Sequence, residues 1–505
     1  EHCAVAAAMA YARKSGDVGV ATVTCGPGLT QILTALPAAM RARLPLIILA
    51  GEPPLESGWY NQAIDQAPFV TATGAAYHAL HWPERMPIAV RDAFLEARSE
   101  TRPVVIGAPF DLQNRAWPGA LTLPAPSKAL LPKVSPMPAH ADDVARAADM
   151  IGNAGGIVIM AGMGAVEAQA GEACRELAER CDALLATTLP ARGLFHGDPF
   201  SIGVAGGFSS AIAWECFAKA DLVIAVGCSL ARHNSDGGKL WPNARVLQID
   251  VEPITVSQGR IAADAHLRAD ARLGVEALVE AVPPRRPDWR SASLADCIRT
   301  TPADSEPFDI EPGRSDPRAV IAALEASLPA DWQMVNSSGH CSHFAAQMPS
   351  RPQSHFLTIR EFGAIGNGVS FAMGVAAARP DDTVVLFDGD GSLLMHIQEL
   401  ETIRRHDLNI LIIVLNDAAY GSEIHKLRAE GRSEGGATFG STDFAAIARG
   451  FGIGGETITE LERLPEHIEA FRESGGAAVW NVPVSDRVVS PVIRRAHPPK
   501  AETGL

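Results

Sequence analysis

The chain has 505 residues, a length that predicts about three domains of ordinary size. With 47% hydrophobic and 20% charged residues it can bury a sizeable core, and its longest apolar runs, 45–50 (PLIILA) and 410–415 (ILIIVL), fall far short of the roughly 18 residues of a membrane span. A net charge of −15 with no Lys/Arg-rich run argues against nucleic acid as a partner, and eight cysteines without a CxxC pair or a secretory segment read as reduced thiols of a cytoplasmic protein.

Residues 4–13 (AVAAAMAYAR) favour helix, and Gly16 stands where a C-terminal cap is expected. The pattern then changes to β-branched and apolar over 18–24, turns at Cys25-Gly26-Pro27-Gly28, reads helical over 29–43 and extended again over 45–50. That order is a βαβ unit with a parallel sheet. Strand and helix alternate to about Ile106, after which 116–139 holds six prolines and reads as a linker. A second block starts at Ala141, with strands expected at 157–160, 184–186, 222–226 and 246–249. The stretch 283–317, rich in Pro, Arg, Asp and Ser, reads as a second linker. From Arg318 a third alternating block runs to about residue 484, with strands at 384–387 and 410–415. The expectation is therefore an α/β protein of three doubly wound domains with mainly parallel sheets, 1–120, 141–282 and 318–484, joined by linkers 121–140 and 283–317 and followed by a tail, 485–505.

The sharpest chemical signal lies in 383–421, TVVLFDGDGSLLMHIQELETIRRHDLNILIIVLNDAAYG. A buried-type strand ends in Gly389-Asp390-Gly391-Ser392, and 24 residues separate Gly391 from Asn416-Asp417 at the end of a second strand. Both acids fall at the carboxyl edge of neighbouring parallel strands, where open α/β sheets bind ligands. Oxygen-only donors of this kind suit Mg2+ or Ca2+, and Mg2+ typically takes one or two carboxylates plus phosphate oxygens. Gly389 and Gly391 let the backbone approach a diphosphate, and the amides opening the next helix are anion donors. Taken alone, GDG is equally an ordinary strand-end turn.

GDG followed by about two dozen residues and an Asn-Asp pair resembles the signature of thiamine diphosphate (ThDP) enzymes. The resemblance implies Mg2+ ligands at the Asp390 and Asp417 side chains and the Ala419 carbonyl, with Gly389, Gly391, Ser392 and Tyr420 against the cofactor. It extends along the chain. EHCAVAAAMAYARKSG is similar to the start of the pyrimidine-binding region in the acetolactate synthase-like group, which also includes the pyruvate and benzoylformate decarboxylases. It implies that Glu1 hydrogen-bonds the aminopyrimidine; read alone, Glu1 is a solvated chain end. If Glu1 is catalytic, about 50 residues of a normal first domain are expected upstream. REFGAIGNG (360–368) resembles the segment that grips the aminopyrimidine, with Gly363 offering a carbonyl and Ile365 an apolar wedge. Ser338-Gly339-His340-Cys341 matches the position where relatives contact the diphosphate, which makes Gly339 and His340 candidates. The middle block, with AGMGA (161–165) and VLQIDVEP (246–253), resembles a central domain that in some relatives holds FAD or a nucleotide. AGMGA lacks the full GxGxxG, and Arg232-His233 stand where acetolactate synthases have a different run, so a structural domain is expected and FAD is not.

The resemblance implies a ThDP- and Mg2+-dependent enzyme acting on a small 2-oxo acid and making or breaking a carbon–carbon bond beside a carbonyl. Two cues point apart. Gln62 aligns with a glutamine of acetolactate synthases, which decarboxylate and then join two substrates. Glu423 falls where simple 2-oxo acid decarboxylases carry a proton-handling glutamate, and in a closed site burial would raise its pKa. His425 is either a catalytic histidine or the cap of a surface helix. Carboligation is the first expectation, simple decarboxylation the second, and an inactive paralogue or regulatory subunit the third. The family binds its cofactor between subunits, so a homodimer or homotetramer is implied, without nucleic acid or membrane. The tail either closes over the site or is disordered.

Overall fold

The computed structural model describes residues 1–116, 122–252, 262–286, 288–349 and 351–499. Parts of the expected linkers and tail (117–121, Pro287 and 500–505) and Pro253 of VLQIDVEP lie outside the described residues.

Three parallel sheets form, one per expected block. The first has four strands in the order β1-β2-β4-β3: β1 (Gly19–Val23), β2 (Leu46–Glu52), β3 (Ala76–Ala79) and β4 (Pro103–Pro109). The second has six in the order β10-β9-β8-β5-β6-β7: β5 (Ile157–Ala161), β6 (Leu184–Thr187), β7 (Ser201–Val204), β8 (Leu222–Val226), β9 (Arg245–Asp250) and β10 (Ala265–Arg268). The third has the order β12-β11-β13-β14-β16-β15: β11 (Gln333–Asn336), β12 (Phe356–Thr358), β13 (Val384–Gly389), β14 (Ile410–Asn416), β15 (Gly454–Thr457) and β16 (Ala478–Pro483). Central strands such as β14 are buried along their whole length, the pattern of a sheet covered by helices on both faces.

Several expectations need correcting. The helix over 29–43 is two, Pro27–Gln31 and Ala35–Arg41. Pro37 has no N–H to donate, so it is accommodated in the first turn of a restarted helix. The second linker holds the helix Ala292–Thr300, started by the Ser291 side chain accepting from the Leu294 amide. The tail packs on the body as the helix Pro491–Ala496. Gly16 does cap the first helix, His2–Ser15, in the left-handed region at φ 70°.

That first helix joins the first and third domains. Val5 and Met9 share one buried core with Phe371 and Val375 of the helix Gly368–Ala378. The two helices touch at Gly374, where a Cβ would lie 2.1 Å from the Ala7 carbonyl oxygen. No described helix is long and apolar enough to cross a membrane.

Candidate active site

In the third sheet β13 begins a second direction of strand order next to β11, and this switch point opens a crevice at the carboxyl edge. The register pairs Gly389 with Leu415, so Asp390 and Asn416-Asp417 leave the sheet side by side. Loops after β11, β13 and β14 enclose a cavity of about 460 Å3 lined by Gly339, His340, Gly389, Asp390, Gly391, Ser392, Asp417, Ala419 and Tyr420, together with Gly363, Ile365 and Glu423. The structure thus brings together twelve of the fifteen sequence-derived candidates.

The acids are held by their own loops. Asp390 Oδ1 accepts from the Gly391 amide (2.9 Å) and Asp417 Oδ1 from the Ala419 amide (3.3 Å). The second oxygen of Asp390 is buried with no hydrogen-bond partner among the described residues. Burial, followed by repulsion from Asp417, raises the Asp390 carboxyl, and burial raises Asp417. Adjacent buried carboxyls with raised pKa values and an orphaned oxygen describe a place built for a cation. Gly421 keeps it open: a Cβ there would lie 2.2 Å from Asp417 Oδ2. Among the described residues no three His, Cys, Asp or Glu side chains converge as a closed metal cage. Two carboxylates and a backbone carbonyl therefore fit a hard cation that completes its shell with phosphate oxygens, the habit of Mg2+.

Asn416 is structural: its amide donates to Thr442 O and Asn481 Oδ1, both 2.9 Å, tying β14 to β16. Ser392 Oγ accepts from the Gly366 amide (2.9 Å) and meets Ser337 Oγ (3.1 Å), fixing the 363–367 segment beside the Gly389–Ser392 turn. Gly339, at φ 103°, turns the chain 3.8 Å from Ile365 Cγ2, measured from where its Cβ would be. His340 is driven down to about 3 by burial and is neutral; its Nδ1 lies 3.9 Å from Asp417 Oδ2 and its Nε2 accepts from the Ser490 amide (3.1 Å).

Three candidates lie apart from this cavity. Glu1 rests against Gly28, whose Cβ would sit 3.0 Å from Glu1 Oε1, and Gln62 packs on Gly26 in the same turn of the first domain. Neither lines the cavity of its own chain. His425 is no cap of a surface helix: it is buried and neutral, with its ring tilted against His340 at 4.7 Å between centroids. Glu423 lies at the mouth, exposed and accepting from Lys426 Nζ at 2.7 Å, so the closed site expected around it is absent in a single chain.

Sequence reasoning missed the far wall: Phe208 and His233 from the middle domain, His343 and Arg360, and Val492 and Ile493 from the tail. Apart from Arg360, no motif marks them, because they meet only when the middle domain, the third domain and the tail pack. The tail is held by His343 Nδ1 on Ser490 Oγ (2.9 Å) and by Arg494 on Asp304 (2.6 Å).

The middle sheet has the strand order of dinucleotide-binding domains. At its switch point, however, the AGMGA amides are already used: Gly162 N donates to Val226 O (2.9 Å) and Gly164 N to Gly227 O (3.0 Å). The glycines serve backbone packing there, since a Cβ on Gly162 would lie 2.3 Å from the Gly227 oxygen.

Family models agree with this division. The N-terminal TPP binding domain of thiamine pyrophosphate enzymes matches residues 1–69, their central domain 144–278 and their C-terminal TPP binding domain 337–482. The acetolactate synthase large subunit of Parasynechococcus marenigrum is 30% identical over 94% of this chain and 78% of its own length. The chain belongs to the thiamine pyrophosphate enzyme family and is acetolactate synthase-like. The isozyme 2 large subunit of Escherichia coli is 27% identical over 96% of this chain and 88% of its own length, and chloroplastic acetolactate synthase 2 of Zea mays 29% over 94% and 77%. Thiamine diphosphate is accordingly the cofactor to be placed, and the 339–421 cavity falls inside the C-terminal TPP binding match.

Proposed function

We propose that this enzyme binds ThDP through Mg2+ at Asp390, Asp417 and the Ala419 carbonyl, decarboxylates a 2-oxo acid and joins the remaining fragment to a second carbonyl compound. The observation that carries the reading is the buried carboxyl pair with its orphaned oxygen, set in the crevice between β13 and β14. When bound, ThDP supplies a nucleophilic carbon that adds to a carbonyl and accommodates the electron pair released with CO2. The protein's part is positioning. Gly363 offers its carbonyl to the aminopyrimidine, Ile365 supports the cofactor's bend, and the Gly389–Ser392 turn meets the diphosphate.

Glu1 acts from a second copy of the chain in this proposal. The cavity of one chain has no lining residue from the first domain, while Phe362, Met395, Tyr420 and Phe439 stand exposed around it. The first domain in turn exposes Leu55, Trp59 and Phe69 beside the loop that carries Gln62. A homodimer, or a pair of dimers, that sets one surface on the other would cover both and bring Glu1 and Gln62 to the cofactor.

Isothermal titration of ThDP with Mg2+, followed by CO2 release from pyruvate, 2-oxobutyrate and benzoylformate, tests the reading. Micromolar binding that is lost in Asp390→Ala, with turnover lost in Glu1→Gln, is expected. A folded protein that binds no ThDP would overturn it. Simple decarboxylation is the second reading, favoured by Glu423 and Lys426 at the mouth, where a carboxyl can deliver a proton. An aldehyde as the sole product from pyruvate would select it; a hydroxy-oxo acid selects carboligation.

A further inference from the structure

Arg360 enters the cavity from the segment between β12 and Gly363 and has no carboxylate partner. Its guanidinium donates to a neutral acceptor, Ser342 Oγ, and lies with Cζ 5.2 Å from the centre of the Phe208 ring. The adjacent Glu361 turns away, accepting from the Arg360 backbone amide (2.7 Å) and facing Arg13 at 3.7 Å. Among the described residues no ion pair forms at Arg360. Burial pushes the group down to about 10, which still leaves it charged at neutral pH. Elsewhere in the cavity Lys426 is paired with Glu423, and His340 is neutral. An enclosed cation without a counter-ion is costly unless an anion completes it.

We propose that Arg360 anchors a carboxylate that the substrate keeps through turnover, an inference that rests on the ThDP reading of the cavity. The anion is not the carboxylate lost as CO2. That group surrenders its charge as the bond breaks, so a cation paired with it would hold the ground state more tightly than the transition state and slow the step. A guanidinium fork is useful where the anion persists and must be oriented. Two groups have that chemistry: a second carboxylate on a dicarboxylic 2-oxo acid donor, and the carboxylate of a 2-oxo acid acceptor. Phe208, stacked on the guanidinium, and Ile493 of the tail line the same cavity and offer an apolar passage for the carbon chain between the two ends.

The test compares the wild-type holoenzyme with Arg360→Gln and Arg360→Lys. CO2 release without acceptor is measured on 2-oxoglutarate against 2-oxobutyrate, and carboligation on a 2-oxo acid acceptor against the matching aldehyde. In at least one pair the wild type is expected to prefer the acid, and Arg360→Gln to lower the acid-to-neutral ratio of kcat/KM by about tenfold or more, chiefly through KM, with partial rescue by lysine. The pair that responds identifies donor or acceptor. Unchanged ratios in both would overturn the proposal. So would a tenfold loss of ThDP affinity in Arg360→Gln by titration, which would hand the guanidinium to the diphosphate. Succinate titrated into the cofactor-free protein gives a reading independent of turnover: binding weakened about tenfold in Arg360→Gln supports the anchor, and wild-type binding equal to the variant's, or none, overturns it. If the wild type bound no ThDP, the ThDP reading would fall, and the succinate titration alone would then decide on Arg360.

Discussion

The Asp390–Asp417 pair makes the affinity for Mg2+ a function of pH in a range where ordinary carboxylates are silent. Free carboxylates ionise near 4, but burial raises both of these groups, and the Asp417 charge raises Asp390 further. Near pH 6 the metal-free pair therefore holds at least one proton, which a cation must displace. One displaced proton gives about a tenfold rise in affinity per pH unit below the pair's transition and a plateau above it. The same shift acts on stability: carboxyls raised above their unfolded values cost nothing below about pH 4, where both states are protonated, destabilise the metal-free fold increasingly from there up to the folded values, and add no further cost above them. Titrating Mg2+ with ThDP at pH 6.5 in two buffers of different ionisation enthalpy counts the protons released. Asp417→Asn removes one acid and the repulsion on Asp390, so fewer protons and a shallower slope are expected. Protons belonging to the cofactor's own diphosphate cancel in that comparison. Equal proton release by the two proteins, or a wild-type affinity flat from pH 6 to pH 8, would refute the reasoning.

Three further outcomes follow from close approaches. In Gly374→Val the new Cβ lies 2.1 Å from the Ala7 carbonyl oxygen and 2.8 Å from Ala10 Cβ, and backbone cannot rotate aside. A loss of about 3 kcal/mol in urea unfolding, the upper end for overpacking, is expected, and a neutral result would mean that the two helices pack less tightly than described. Gly421→Ala fills the space beside Asp417 Oδ2, so metal-dependent ThDP binding should weaken about tenfold or more while circular dichroism stays unchanged. Ser490→Ala deletes the hydroxyl bonded to His343, worth about 1 kcal/mol, and trypsin should cut faster after Arg494 and Arg495; an unchanged cleavage rate would show that the remaining contacts, among them Arg494–Asp304 and the Ser490 amide on His340, suffice to hold the tail.

The strands that the sequence marked best are those buried on both faces, 222–226 and 410–416, where an unbroken apolar run has few other uses. β15 was illegible because Gly454–Thr457 is an edge strand with little buried, and β12 because three residues carry no period. The metal loops were legible for a related reason: Asp390 and Asp417 each follow such a run, and parallel pairing brings the two strand ends to one level. The two readings of His425 stayed open in the sequence because a lone polar residue on a short helix does not report burial, which here comes from packing against His340. Arg360 opens REFGAIGNG, but nothing in that run distinguishes it, since its lack of a carboxylate partner is a property of three dimensions.

The division of the candidates is itself informative. Glu1 and Gln62 meet at one turn of the first domain, and the two acids share one cavity of the third. What order along the chain does not encode is which copy of the first domain faces which cavity. The contact of His2–Ser15 with Gly368–Ala378 fixes how the two domains of one chain are joined, and in that arrangement Glu1 stays outside the cavity its own chain forms. A catalytic Glu1 and a single-chain active site are therefore incompatible. Mixing a Glu1→Gln protein with an Asp390→Ala protein should accordingly restore part of the activity that each lacks alone, because one of the two sites in a mixed dimer would combine an intact glutamate with an intact metal loop. Mixtures that remain inactive after subunit exchange has been shown by mass would refute the shared site.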